Sequence, residues 1–76
     1  MYILTFVDLV NMGYNVKAVY KFDKKEDASN FMKEQYIHHC LEEHITNPLD
    51  NDSFDYEYSN AYAYIFGKYY WDIFEV

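Results

Sequence analysis

The sequence predicts an α+β fold: a four-stranded antiparallel sheet with one helix packed on one face, in the order β-β-α-β-β. Residues 16–22 and 61–66 each alternate two kinds of side chain with a period of two, as strands do. Between them lies a stretch with a helix-start pattern and a firm stop at Asn47-Pro48. Both glycines, Gly13 and Gly67, fall where hairpins would close.

Residues 2–10 (Tyr-Ile-Leu-Thr-Phe-Val-Asp-Leu-Val) are β-branched and aromatic and read as the first strand. Both of its alternating sets are largely apolar, which suits a central strand covered on both faces. Residues 11–15 (Asn-Met-Gly-Tyr-Asn) have turn chemistry. In the second strand Val16, Ala18, Tyr20 and Phe22 share one face, and Lys17 and Lys21 lie on the other. The first 22 residues therefore read as a β-hairpin.

The helix is expected from Asp23 to about Ile45. Asp23 with Glu26 three positions on is a capping-box pattern, and Asp27 adds charge that the helix dipole favours. Its apolar residues drift. Ala28, Phe31, Met32 and Tyr36 lie near one face, while Ile37, Leu41 and Ile45 fall nearly opposite. A two-layer domain covers one face of a helix. Either the helix bends near His38-His39, or Ile37, Leu41 and Ile45 meet a second copy or another partner.

Residues 47–60 are polar and acidic and read as a loop, with a strand start conceivable at Tyr56. In the third strand Tyr62, Tyr64 and Phe66 oppose Ala61, Ala63 and Ile65. Gly67-Lys68 reads as a two-residue type II′ turn with glycine first, leading to a last strand over residues 69–76.

At 76 residues the chain has the length of one domain, 1–76, with a small core. A 51% hydrophobic fraction argues against global disorder. Thirteen acids oppose six bases, all lysines, for a net charge of −7. That balance disfavours direct nucleic-acid binding, which needs cations against phosphates, and disfavours an anionic membrane surface. Acidity keeps a tyrosine-rich protein soluble, and it also steers a basic partner. A single cysteine forms no internal disulfide, and no signal-peptide pattern or membrane-length apolar run is present. A cytoplasmic location is expected.

The chemical motifs are weak. His38, His39, Cys40, Glu43 and His44 cluster on the helix, with Cys40/His44 and His39/Glu43 at i,i+4 spacing. A closed zinc site takes four ligands, and no second cysteine or further histidine supports one, so no metal or cofactor is expected. The acidic run from Asp50 fails as a calcium loop, because Phe54, Asp55 and Ala61 fall where an oxygen donor, a glycine and a glutamate are needed. Ser29 falls in the expected helix and Ser53 in an acidic loop that would not stabilise an oxyanion, so no catalytic residue is assigned and an enzyme is not expected.

The strongest signal is residues 50–58, where acids alternate with aromatics. Asp50, Asp52, Asp55 and Glu57 would attract Lys and Arg at long range. Phe54, Tyr56 and Tyr58 offer area for stacking on guanidinium groups. The segment is either a partner-binding edge or a solvated loop whose aromatics tuck under the sheet.

In length, β-β-α-β-β layout, acidic balance and tyrosine content, the whole chain resembles small phage-encoded inhibitors of the anti-CRISPR, nucleic-acid-mimic type. The resemblance carries no signature residues. It implies an inhibitor acting in a bacterial host cell, laying carboxylates where phosphates would lie and occluding a basic surface of a defence protein such as a CRISPR-Cas effector. The other expectation is a homo-oligomeric interaction module without an inhibitory role.

Overall fold

In a computed structural model, residues 1–10, 17–50 and 53–76 are described. They build strands β1 (Tyr2–Asp8) and β2 (Lys17–Phe22), helix α1 (Lys25–Glu42), and strands β3 (Tyr56–Tyr58), β4 (Tyr62–Ile65) and β5 (Tyr69–Glu75). All strands pair antiparallel in one sheet of order β2-β1-β5-β4-β3. The α+β class and the single helix are as expected. The strand count is corrected from four to five, because Tyr56–Tyr58 pairs with β4 through Tyr56↔Ile65, Glu57↔Tyr64 and Tyr58↔Ala63. The first hairpin's turn, residues 11–15, and Val16 lie outside the described residues.

The first and last strands meet along their full length, from Tyr2↔Glu75 to Asp8↔Tyr69. Register then assigns each side chain to a face. Leu4, Phe6, Ala18, Tyr20, Phe22, Ala63, Ile65, Tyr69 and Trp71 turn toward the helix and form the core with its side chains. Trp71 is fully buried, stacks on Phe6 with centroids 5.0 Å apart, and meets Tyr36 edge-on at 5.9 Å. Its indole N–H, which cannot be left without a partner in a core, donates to Gln35 Oε1 at 3.1 Å.

The helix buries Ala28, Met32, Tyr36 and Cys40, a row at i,i+4 spacing. Phe31 flanks the row on one side, packed on Tyr20 and Phe22 of β2. Ile37 flanks it on the other, beside Thr46 to Asp50. A five-stranded sheet and the post-helix segment thus cover more of the helix than a narrow stripe. Leu41, roughly 160° from the row's centre at about 100° per residue, stays 62% exposed.

Both helix ends differ from expectation. Lys24 occupies the N-cap in an extended conformation without a side-chain capping bond, so Asp23 lies one residue too early to form the capping box. At the other end the helix stops at Glu42, three residues before Ile45. His44 adopts φ 62°, and Ile45 N–H donates to Cys40 C=O at 2.9 Å while His44 N–H donates to Leu41 C=O at 3.1 Å. This is a Schellman turn, and it swings Ile45 back onto the core beside Cys40.

The β4–β5 link is corrected as well. Ile65 pairs with Tyr69, which leaves Phe66, Gly67 and Lys68 in the loop. Lys68 N–H closes the turn on Ile65 C=O at 2.9 Å, so Gly67 sits at the third turn position with φ 77°. Positive φ at that position is what a type II turn demands, and glycine supplies it without strain.

Candidate functional site

The helix covers one face of the sheet, and no described element covers the other. Alternation sends every second residue of each strand to this open face. Among the residues with described side chains they are Ile3, Thr5 and Val7 of β1, Val19 and Lys21 of β2, Glu57 of β3, Tyr62 and Tyr64 of β4, and Tyr70, Asp72 and Phe74 of β5. Register groups them into rows. Val7, Tyr70, Tyr64 and Glu57 form one, and Val19, Thr5, Asp72 and Tyr62 the next. The β5-β4-β3 side of the open face is therefore aromatic, with Glu57 and Asp72 set among the rings, while the β1-β2 side is aliphatic with Lys21.

Two of its tyrosines are held by their hydroxyls. Tyr62 O–H donates to Glu57 Oε2 at 2.8 Å, and Tyr70 Oη accepts from Gly67 N–H at 2.8 Å. Tyr64 and Tyr70 stack with centroids 6.3 Å apart. The Glu57 carboxylate beside Tyr62 raises that phenol above its ordinary pKa, chiefly through the hydrogen bond. Rings already held in place lose little freedom when a partner lands on them.

Residues 50–58 divide between surface and core. Asp50 is exposed, and Asp52 lies outside the described residues. Phe54 is 94% exposed. Asp55 is exposed, and its C=O accepts from Phe66 N–H at 2.7 Å at the end of the β3–β4 ladder. Glu57 stands on the open face. Tyr56 and Tyr58 turn inward instead: both pack on the core, Tyr58 stacks on Tyr36 at 5.7 Å, and its hydroxyl meets Ser29 Oγ at 3.2 Å. Asp55 and Tyr56 do meet around a hollow of about 320 Å³, with Glu43, Ile45, Ile65, Phe66 and Lys68. There Lys68 Nζ pairs with Glu43 Oε2 at 2.7 Å, tying the β4–β5 turn to the helix end.

Ile37, Leu41 and Ile45 do not form one exposed face. Ile37 and Ile45 are partly buried against the core, and Leu41 alone is largely exposed. The open-face residues Tyr62, Tyr64, Tyr70, Asp72 and Phe74 were not singled out from sequence. For Tyr62 and Tyr64 the signal was present in the alternation of residues 61–66, where the face opposite Ala63 and Ile65 is as aromatic as a core.

His38 and His39 meet edge-on with centroids 5.7 Å apart, but Cys40 is buried in the core. Cys40 is fully buried and its thiol is pushed up by burial, which makes it a core residue rather than a nucleophile. Tyr36 beside it is also pushed up by burial, and its hydroxyl donates to Pro48 C=O. His38 is exposed and meets Glu42 at 2.8 Å. Among the described residues, no group of three or more His, Cys, Asp or Glu is placed to hold a metal ion. No helix of the described residues is long and apolar enough to cross a membrane.

His39 is wedged among rings, stacked on Tyr69 at 4.2 Å and on Phe6 at 5.5 Å. Its buried Nδ1 has no hydrogen-bond partner among the described residues, although Glu42 Oε2 lies 3.8 Å away. Burial lowers its pKa, and the nearby carboxylates of Glu42, Asp8 and Glu43 oppose the shift in part. The unfolded chain takes up this proton near pH 6.5 while the folded chain resists it. The stability this neutral histidine supports is therefore complete above about pH 6.5 and falls as the pH drops. The urea midpoint should decline from pH 7.5 to 5.5, a window above ordinary carboxylate titration. His39→Gln should flatten that decline; a variant that keeps the full slope assigns it to another group.

No family model, no curated protein and no solved structure matches this chain, so its function is argued from its own residues.

Proposed function

We propose that this chain is a small acidic protein-binding inhibitor that occludes a basic, nucleic-acid-binding surface of another protein. The resemblance to small phage-encoded inhibitors of the anti-CRISPR type implies a bacterial defence protein, such as a CRISPR-Cas effector, as the partner. The observation that carries the reading is the sheet face that no described element covers. Glu57 and Asp72 there lie among Tyr62, Tyr64, Tyr70 and Phe74, on a chain of net charge −7. Large aromatic patches left in water mark contact surfaces. Tyrosine is favoured in such contacts because it combines a broad ring with a polar tip. Asp55, with exposed Phe54 and Phe66, extends the acidic and aromatic character past the end of the β3–β4 ladder.

The division of labour follows from range. Each exposed ion pair contributes only about 0.2–1 kcal/mol, so no single carboxylate dominates a broad surface contact. Together the acids set the field that speeds encounter, and the desolvated rings slow departure. With a partner captured from a host lysate, neutralising Asp50, Asp55, Glu57 and Asp72 to Asn or Gln should slow association roughly tenfold at low salt. It should also flatten the salt dependence. An association rate unchanged from low to physiological salt rejects electrostatic occlusion.

Self-association through the far helix face is the second reading, supported by exposed Leu41 and by exposed Leu49, which lines a hollow with Ile37. Sedimentation tests it directly: a monomer at high concentration removes it.

A further inference from the structure

Asp72 is the open-face carboxylate of central strand β5, Glu75 falling on the opposite face by alternation. Its cross-strand neighbours on the open face are Tyr62 of β4 and Thr5 of β1. Tyr70 and Phe74 lie two residues to either side along β5 and project to the same face. Directly opposed side chains start about 5 Å apart and i,i+2 neighbours roughly 7 Å apart, so the carboxylate sits within reach of three rings. It is exposed, and among the described residues it makes no hydrogen bond or ion pair. Lys21, on the same face, belongs to a strand two places away and to the next row. It stands on the order of 12 Å from Asp72 along the backbone grid.

A carboxylate in the middle of an aromatic face is costly to cover with an apolar surface, because desolvation strips its water without replacing it. The face therefore selects a partner that brings a cation to that point. A second copy of the chain fits poorly. It would add seven more net negative charges, and a two-fold axis along central β5 would set Asp72 against its own copy.

Resting on the reading of the open face as the contact surface, we propose that Asp72 with Tyr62, Tyr70 and Phe74 is a receptor for an arginine side chain of the protein partner. A guanidinium group matches each part of it. Its edge donates two N–H groups to one carboxylate, and its flat face stacks on a phenol ring. Tyr62 is held by Glu57 at 2.8 Å and Tyr70 by the Gly67 N–H at 2.8 Å, so both rings are in place beforehand. Glu57 stands at the same grid offset from Asp72 as Lys21, two strands and one row away on the other side, so the two charges offset and Asp72 is the carboxylate that meets the cation. Lysine offers no plane to stack and no paired donors, so it should bind less well.

The test uses the full chain, labelled for NMR, and two acetylated, amidated peptides that alternate alanine with either arginine or lysine. The arginine peptide should shift the Tyr62, Tyr70, Asp72 and Phe74 signals saturably. The lysine peptide should bind at least about fivefold more weakly. Asp72→Asn, at an exposed position that leaves the fold intact by the unshifted remainder of the spectrum, should weaken the arginine peptide roughly tenfold. Asp50→Asn should leave it within about twofold. Saturable shifts on the open face with affinity untouched by Asp72→Asn, or equal affinity for both peptides, overturn the arginine receptor and leave the face itself as the contact surface. Shifts confined to residues 50–55, or no binding of either peptide, overturn both.

Discussion

Trp71→Ala should leave the domain largely unfolded at ordinary temperature. Trp71 is fully buried at the centre of the core, against Phe6 on one side and the edge of Tyr36 on the other. Truncating a buried tryptophan costs about 3–5 kcal/mol in lost burial and residual cavity. It also leaves Gln35 without the indole donor that it accepts from. Domains of this size sit at the low end of an overall stability of about 5–15 kcal/mol. Each kcal/mol lowers the melting temperature by about 4–8 °C at this length. Thermal melts followed by circular dichroism should therefore show the transition lowered by tens of degrees or lost. Trp71→Phe should retain a cooperative transition at reduced stability. A Trp71→Ala protein that melts within a few degrees of wild type would mean that the sheet and helix do not pack as described.

The second large effect separates two aromatics that lie four residues apart. Tyr58→Ala should cost about 2–3 kcal/mol, because it removes a half-buried ring from the Tyr36 stack and the hydroxyl contact to Ser29. Phe54→Ala should change stability by no more than about 0.5 kcal/mol, since the ring is 94% exposed. Urea unfolding of the two variants makes the comparison, with unchanged m-values as the sign that both still unfold in one step. Equal costs would place Tyr58 in solvent or Phe54 in the core. The contrast also bears on binding experiments. A loss of affinity in Tyr56→Ala or Tyr58→Ala reports a damaged fold, whereas a loss in Phe54→Ala reports a contact.

What was legible in the sequence is local. The alternation of Ala18, Tyr20 and Phe22 against their neighbours, and of Ala63 and Ile65 against Tyr62 and Tyr64, determined both the strands and their inward sets, because a strand's period of two is a property of its own backbone. The helix was legible from its apolar content and from Asn47-Pro48, and the acidic, tyrosine-rich character from counting. Tertiary pairing decided the rest. Tyr56–Tyr58 is a strand because β4 offers it an edge; three residues in an acidic stretch carry too little pattern of their own. Gly67 moved to the third turn position because pairing Ile65 with Tyr69 leaves three residues to span. Ile45 lies outside the helix because a left-handed His44 closes a Schellman turn, which sets Ile45 against the core. The same holds for the candidate site. Composition showed that acids and aromatics abound, but only the strand order β2-β1-β5-β4-β3 brings Asp72 beside Tyr62 and sends Tyr56 and Tyr58 beneath the helix. Contacts between residues distant in the chain depend on which edges meet, and edge pairing is set by the packing of the whole sheet on its helix rather than by any one segment.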